Sequence, residues 1–268
     1  DVGNQGKVSE GILRRISRKV KNMRVLSEQP NKKSYQDGNL RLKVFGASFK
    51  KSDILNEALN QARVEETGLQ IPKLLEVKQI DGQWTIVTEF IEGETLESLM
   101  AAHPEKMSEY LEQFVALQSE ILSKRAPLLN RLKDKMNRKI RESGLDATTR
   151  YELHMRLNGM REHEKVCHGD FNPSNVIVTP DGDWYVIDWS HVTQGNASAD
   201  AARTYLLFCL NGKEDVAEQY LQIFCEKNDI AKQYVRSWMP IVAASQLGKG
   251  NESEREFLLR WANVVQYE

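Results

Sequence analysis

One stretch constrains this chain more than any other: His168-Gly169-Asp170-Phe171-Asn172-Pro173-Ser174-Asn175, followed directly by VIVTPDGDWYVIDW. Val176-Ile177-Val178 and Trp184-Tyr185-Val186-Ile187 are β-rich runs, and Pro180-Asp181-Gly182 between them is turn chemistry. A hairpin is predicted. With its turn centred on Asp181-Gly182, Asn175 and Asp188 stand directly opposite one another, their Cβ atoms roughly 4.5–5.5 Å apart. Asp170 lies five residues before Asn175. One carboxamide and two carboxylates are thereby gathered at the open end of the hairpin. Adjacent carboxylates repel, so a cation or a proton is expected between them. An all-oxygen set with few protein ligands suits Mg²⁺, which keeps several waters and takes phosphate oxygens. Asp-Phe-Asn-Pro-Ser-Asn alone would read as a polar turn; Asp188, carried back to it by the hairpin, argues for a site.

The rest of the chain supplies a frame. Its 268 residues suit one large domain or two lobes around a cleft. A formal net charge of −1 gives no field that favours nucleic acid or a membrane surface. No apolar run approaches a membrane span, and the first residues do not resemble a signal peptide. Cys167, Cys209 and Cys225 are an odd number, widely spaced, and read as free thiols of a cytoplasmic protein. Residues 20 to 91 read mainly as strands with one helix, and 94 to 268 mainly as helices with one hairpin. NLRLKVF (39 to 45) alternates as a strand. SDILNEALNQARVEETG reads as a helix capped by Ser52, with Ile54, Leu55, Ala58, Leu59 and Ala62 as its apolar stripe and Gly68 as its stop. LLEVKQIDGQWTIVTEF is a second hairpin signal. Helices are also predicted at 109–122, 145–163, 197–210, 213–227, 230–244 and 252–263. The basic runs at Arg14–Arg24 and 131–141 read as solvated helix faces, the first beside the apolar stripe Ile12, Leu13, Ile16 and Val20.

His168-Gly169-Asp170, four residues, Asn175, a hairpin, then Ile187-Asp188-Trp189 resembles the aminoglycoside phosphotransferase and choline kinase family, cousins of the protein kinases. The resemblance covers about residues 25 to 210. It implies an α+β, bilobal, protein-kinase-like fold. A small antiparallel sheet with one helix would form a nucleotide-binding lobe (1–91, with a hinge at about 88–93). A helical lobe (94–268) would carry the catalytic hairpin and the acceptor site. It implies that Asp170 is the catalytic residue and that Asn175 and Asp188 hold Mg²⁺. Lys43 would meet the phosphates of ATP or GTP, and Glu57, one turn into its helix, would pair with Lys43. Glu65 and Glu66 are alternatives in a slipped alignment. The stretch VTEFIEGETL resembles the interlobe hinge, where backbone groups of Glu89 and Ile91 would bond the base. No G-x-G-x-x-G precedes the Lys43 strand, so LSEQPNKKSYQDG (26 to 38) would cover the phosphates, with Ser27 or Asn31 near them.

Gly169 stands where protein kinases carry the Arg that answers a phosphorylated activation loop, so no such switch is expected. Only 11 residues separate Asp188 from Asp200, a residue that resembles the family's Asp at the start of the next helix. That is too few for a peptide-docking segment, and a small hydroxyl compound is the expected acceptor, with no nucleic acid or membrane partner. Polycationic aminoglycosides would need acidic residues, for which Glu214, Asp215, Glu226, Asp229, Glu252, Glu254 and Glu256 are available. Choline would need an aromatic cage, drawn from Trp189, Trp238, Trp261 and Tyr267. A metabolic amino alcohol or sugar is the third option. The rival reading is a non-catalytic nucleotide-binding protein on a kinase fold. Lys43, Asp170, Asn175 and Asp188 standing together argue against it.

Overall fold

The structure is a computed structural model, and it describes residues 23–263. The apolar stripe of Ile12 to Val20, the basic run beside it as far as Lys21, and Tyr267 lie outside the described residues; Arg24, the last residue of that run, opens a strand. Strands β1 (Arg24–Gln29), β2 (Lys32–Asp37), β3 (Leu40–Phe45), β4 (Leu74–Ile80) and β5 (Gln83–Glu89) form one antiparallel sheet in the order β1-β2-β3-β5-β4. Its single helix, α1 (Lys51–Glu65), lies against one face. A small apolar cluster of Phe45, Ile54, Ala58 and Ile86 is closed between them. The helix starts at Lys50, without a side-chain cap, rather than at Ser52. Its buried stripe is also displaced from the predicted one. Ile54, Ala58, Gln61 and Val64 are covered, whereas Leu55 and Leu59 are 40% and 48% exposed.

The remainder is mainly helical: α2 (Leu96–Ala102), α3 (Met107–Ser123), α4 (Leu132–Glu142), α5 (Ala147–Gly159), α6 (Ala197–Leu210), α7 (Glu214–Asn228), α8 (Lys232–Ser237), α9 (Met239–Leu247) and α10 (Glu252–Ala262). The sequence pattern predicts one helix over 230–244. Two form instead, broken at Trp238, because Pro240 lacks the N–H needed to continue the ladder. Short strands cross this part. β6 (Glu94–Thr95) pairs with the hairpin of β8 (Val176–Val178) and β9 (Trp184–Val186), and β7 (Lys165–Cys167) pairs with β10 (Thr193–Gly195). Most of the buried apolar side chains belong to the helical core. Cys167, Cys209 and Cys225 are free and buried within it.

The hairpin register differs by one residue from the expected one. Val176 faces Val186 and Ile177 faces Tyr185, and the Ile187 N–H bonds the Asn175 carbonyl at 2.9 Å. Asn175 therefore stands opposite Ile187, not Asp188. The cause is the turn. Thr179 and Asp183 close a three-residue loop, with Pro180 fixing its first φ and Gly182 taking φ +88° at its end. Asp188 still reaches the site because its own backbone turns into the left-handed region (φ 60°, ψ 68°), which Asp tolerates better than most residues.

Candidate active site

The loop from His168 to Asn175 is anchored on every side before any of its functional groups is considered. Phe171 is fully buried and stacks on Phe114 with ring centroids 4.3 Å apart. Its carbonyl accepts from Thr204 Oγ1 at 2.8 Å, and one turn earlier on α6 the Asp200 carboxylate accepts from the Gly169 N–H at 2.8 Å. Gly169 has φ +81°, and a Cβ there would lie 2.5 Å from the His191 carbonyl oxygen. The His-Gly-Asp form of the motif is thus a steric requirement of this loop. Buried His168 accepts the Asp170 N–H on Nδ1 (3.2 Å) and donates Nε2–H to the Ile187 carbonyl (3.1 Å), which fixes its tautomer. One imidazole links the residue positions of Asp170 and Asp188.

Two Asn residues of the motif have separate tasks. Asn172 caps the short turn Pro173–Asn175, accepting from the Ser174 N–H at 3.0 Å. Asn175 donates its Nδ2 to the Asp170 carbonyl at 2.9 Å and to Asp170 Oδ2 at 3.2 Å. Its Oδ1 accepts no bond among the described residues. Asp170 Oδ1 lies 3.6 Å from the guanidinium of Arg203, a buried residue of α6 that the sequence motif does not include.

Lys43, 7% exposed, extends from β3 and ion-pairs with Glu57 of α1 and, at 3.3 Å, with Asp188 Oδ1. Asp188 Oδ1 also accepts from Ser190 Oγ at 2.8 Å, while Oδ2 has no donor among the described residues. Burial alone would push the Asp188 carboxyl up. Lys43, the Ser190 hydroxyl, Lys32 and Arg41 outweigh it and hold the group far below the usual carboxylate range. Glu65, the slipped-alignment alternative, instead accepts from the Leu74 N–H. Burial, reinforced by Lys135, pushes the His191 imidazole well below its ordinary range, so it carries no charge at neutral pH.

Ser27, Ser34, Lys43 and Ile86 stand opposite one another across β1, β2, β3 and β5, so they share one sheet face. Ser27 is two strands from Lys43, about 10 Å by strand spacing. Arg41 and Lys32 occupy the same face by alternation. Both were missed, because basic residues on a strand look like its solvated side. Glu89 ends β5, and its N–H bonds the Lys73 carbonyl at 3.0 Å. Ile91 follows in irregular backbone and forms no hydrogen bond among the described residues. Trp189 and Trp238 are core residues, 1% and 3% exposed, and line no cage. A cavity of about 510 Å³ lies beside Arg131, Lys133 and Trp238 and is lined by none of Lys43, Glu57, Asp170, Asn175, Asp188 or Arg203.

The described residues contain no helix long and apolar enough to cross a membrane. The family model described as "Phosphotransferase enzyme family" matches residues 34–236. No curated protein matches the sequence. Solved structures do resemble it in fold. Aminoglycoside phosphotransferase APH(4)-Ia is 18% identical, with 96% of each chain covered and a TM-score of 0.68. A thermostable mutant of that enzyme, in a ternary complex with ADP and hygromycin B, aligns over 92% of this chain and 93% of that one, at 18% identity and a TM-score of 0.67. Choline kinase LicA from Streptococcus pneumoniae is 17% identical over 96% of this chain and 98% of its own, with a TM-score of 0.61. The shared fold is protein-kinase-like and α+β, as the motif implied.

Proposed function

The chain belongs to the phosphotransferase enzyme family, whose fold it shares with small-molecule kinases, and from that premise we propose that it moves the γ-phosphoryl group of ATP or GTP to a hydroxyl of a small molecule. The observation that carries this reading is the position of Lys43, bonded at once to Glu57 of the sheet's helix and to Asp188 beyond the hairpin. A lysine so held offers its charge to phosphates at the junction of the two parts. In this reading residues up to 91 form the nucleotide lobe and residues from 94 the acceptor lobe. Backbone groups of Glu89 and Ile91 receive the base, and Ser27 sits near the phosphates.

Asp170 accepts the proton of the acceptor hydroxyl. Asn175 orients its carboxylate from one side and Arg203 from the other. Asn175 Oδ1 and Asp188 Oδ2, both without protein donors among the described residues, fit a Mg²⁺ ion that keeps waters and phosphate oxygens as its remaining ligands. When bound, the metal would offset charge on the transferred phosphoryl group. The connection from Asp188 to Asp200 holds only a short turn, β10 and the α6 cap, and offers no platform for a peptide. Bound hygromycin B in one structural neighbour, and choline in the name of another, support a small acceptor.

The test is phosphoryl transfer from MgATP and MgGTP to a panel of small hydroxyl compounds and to generic protein substrates. Transfer to a small molecule, lost in Asp170→Asn, is expected. Saturable phosphorylation of protein alone would overturn the reading.

A further inference from the structure

At Gly169, the residue before Asp170, the helical part forms a cavity of about 80 Å³. Lys135 and Lys139 of α4, Gly169, His191, Arg203 of α6 and Lys249 after α9 line it. Its charges do not balance. Lys135 donates to the His191 carbonyl at 2.8 Å and has no carboxylate within ion-pair distance among the described residues. Lys249 has no ion pair among them either. Lys139 pairs only with Glu142, at 3.3 Å, on the outer edge. Arg203 is shared between Asp170 and the Gln246 amide oxygen, the latter at 2.7 Å. The one carboxylate lining the cavity is Asp200, already engaged by the Gly169 N–H and the Gln118 amide. Glu254, nearby, holds the Gln246 and Asn251 amides. Burial, with Arg203 next, lowers the half-buried Lys135 ammonium against the opposing pull of Asp200, and the exposed Lys249 at the rim is lowered in the same sense against Asp170 and Glu254.

Resting on the phosphotransfer reading, we propose that the acceptor is an anion: a hydroxyl compound bearing a phosphate or carboxylate that Lys135 and Lys249 bind while the hydroxyl meets Asp170. The cavity has room for such a group, since about 10–15 Å³ on this measure holds one water. A polycation would instead meet four cations at the point where its hydroxyl must react. Of the acidic residues offered for aminoglycosides, Glu214, Asp215, Glu226, Asp229, Glu252, Glu254 and Glu256, none lines this cavity. In the transfer the acceptor oxygen bonds to the γ-phosphorus, the bond to the β–γ bridging oxygen breaks, and ADP leaves. The hydroxyl proton passes to Asp170.

The experiment is thermal stability with saturating MgADP, titrated separately with inorganic phosphate, malonate and an aminoglycoside. It is paired with MgATP-dependent turnover on sugar phosphates, hydroxy acids, neutral sugars and amino alcohols. At least one anion should give a saturable rise in melting temperature, and the phosphate and malonate arms tell the two headgroups apart. Lys135→Ala and Lys249→Ala should each weaken that anion about tenfold, the loss of one charge-assisted hydrogen bond. The MgADP shift should stay within about twofold, and Lys135→Arg should restore binding. No response to either anion, weakening of MgADP in place of the anion, or preferred turnover of a cationic or neutral acceptor would overturn this proposal and leave phosphotransfer standing. No MgADP shift and no turnover at all would remove the phosphotransfer reading, and this proposal with it.

Discussion

Asp170 and Asp188 are both held carboxylates, but their surroundings assign them different failures. Asp188 is fastened to Lys43 and Ser190, Asp170 to Asn175 and Arg203. Asp170→Asn should lose turnover by about 10²–10⁴, the usual contribution of a positioned base, while nucleotide affinity stays within a few-fold. Asp188→Asn keeps a side chain that tolerates the left-handed backbone, so the fold should survive while Mg²⁺-dependent nucleotide binding and turnover fall together. Calorimetry beside steady-state rates separates the two, and normal turnover in Asp170→Asn would reduce the motif to a structural turn. Lys135 gives a second prediction at this scale. Burial first, then Arg203, lowers its ammonium to about 8, with Lys139 and Lys249 acting in the same sense and only Asp200 opposing. The folded state therefore sheds this proton before the unfolded state does, and stability gains from Lys135 as pH rises through about 8 toward 10.5. Lys135→Met should melt higher than the parent at neutral pH, with the gap closing by about pH 10.5. A gap that does not change with pH would show that Lys135 is not strained by its surroundings.

At the scale of elements, existence and type were legible, but phase was not. For α1 the apolar residues Ile54, Leu55, Ala58, Leu59 and Ala62 cover more than one face, and the sequence cannot say which half meets the sheet. The structure turns Ile54 and Ala58 inward, and lets Gln61 enter by donating to the Pro72 carbonyl at 2.5 Å. Ile54→Ala should cost about 2–5 kcal/mol in denaturant unfolding, whereas Leu55→Gln and Leu59→Gln should be near neutral. Equal losses at all three positions would place the helix in the other phase. The hairpin slipped for a related reason. Its hydrophobic pattern is short, so the turn sets the register, and Pro180 already signalled the first corner of a three-residue loop. The site motif stayed readable because its residues are local to one loop and one hairpin. Arg203, Lys135 and Lys249 were not readable from the motif, since only the packing of α4, α6 and the end of α9 brings Arg203 to Asp170 and the two lysines to the cavity at Gly169.

Across the whole molecule, among the described residues Lys43–Asp188 is the one ion pair that joins the five-stranded sheet and α1 to the residues after β5. Two groups of cations flank the motif loop: Lys32, Arg41 and Lys43 on one sheet face, and Lys135, Arg203 and Lys249 around the cavity at Gly169. Each set faces fewer available carboxylates than cations, and a nucleotide triphosphate is the anion that the first set fits. Binding only to the folded state, MgATP at a hundredfold excess over its Kd should add about 2.7 kcal/mol of stability. For a chain of this size that is a rise in melting temperature of about 5–11 °C. Lys43→Met should lose most of this rise, because it removes the cation that offsets both Glu57 and Asp188 and leaves two half-buried carboxylates facing the phosphates. Asp188→Asn should lose the part that depends on Mg²⁺ and keep the part seen with ATP and a chelator. Scanning calorimetry of the three proteins with ATP, MgATP and MgGTP checks this. If the parent melts at the same temperature with and without saturating MgATP or MgGTP, the junction is a structural ion pair and not a nucleotide site.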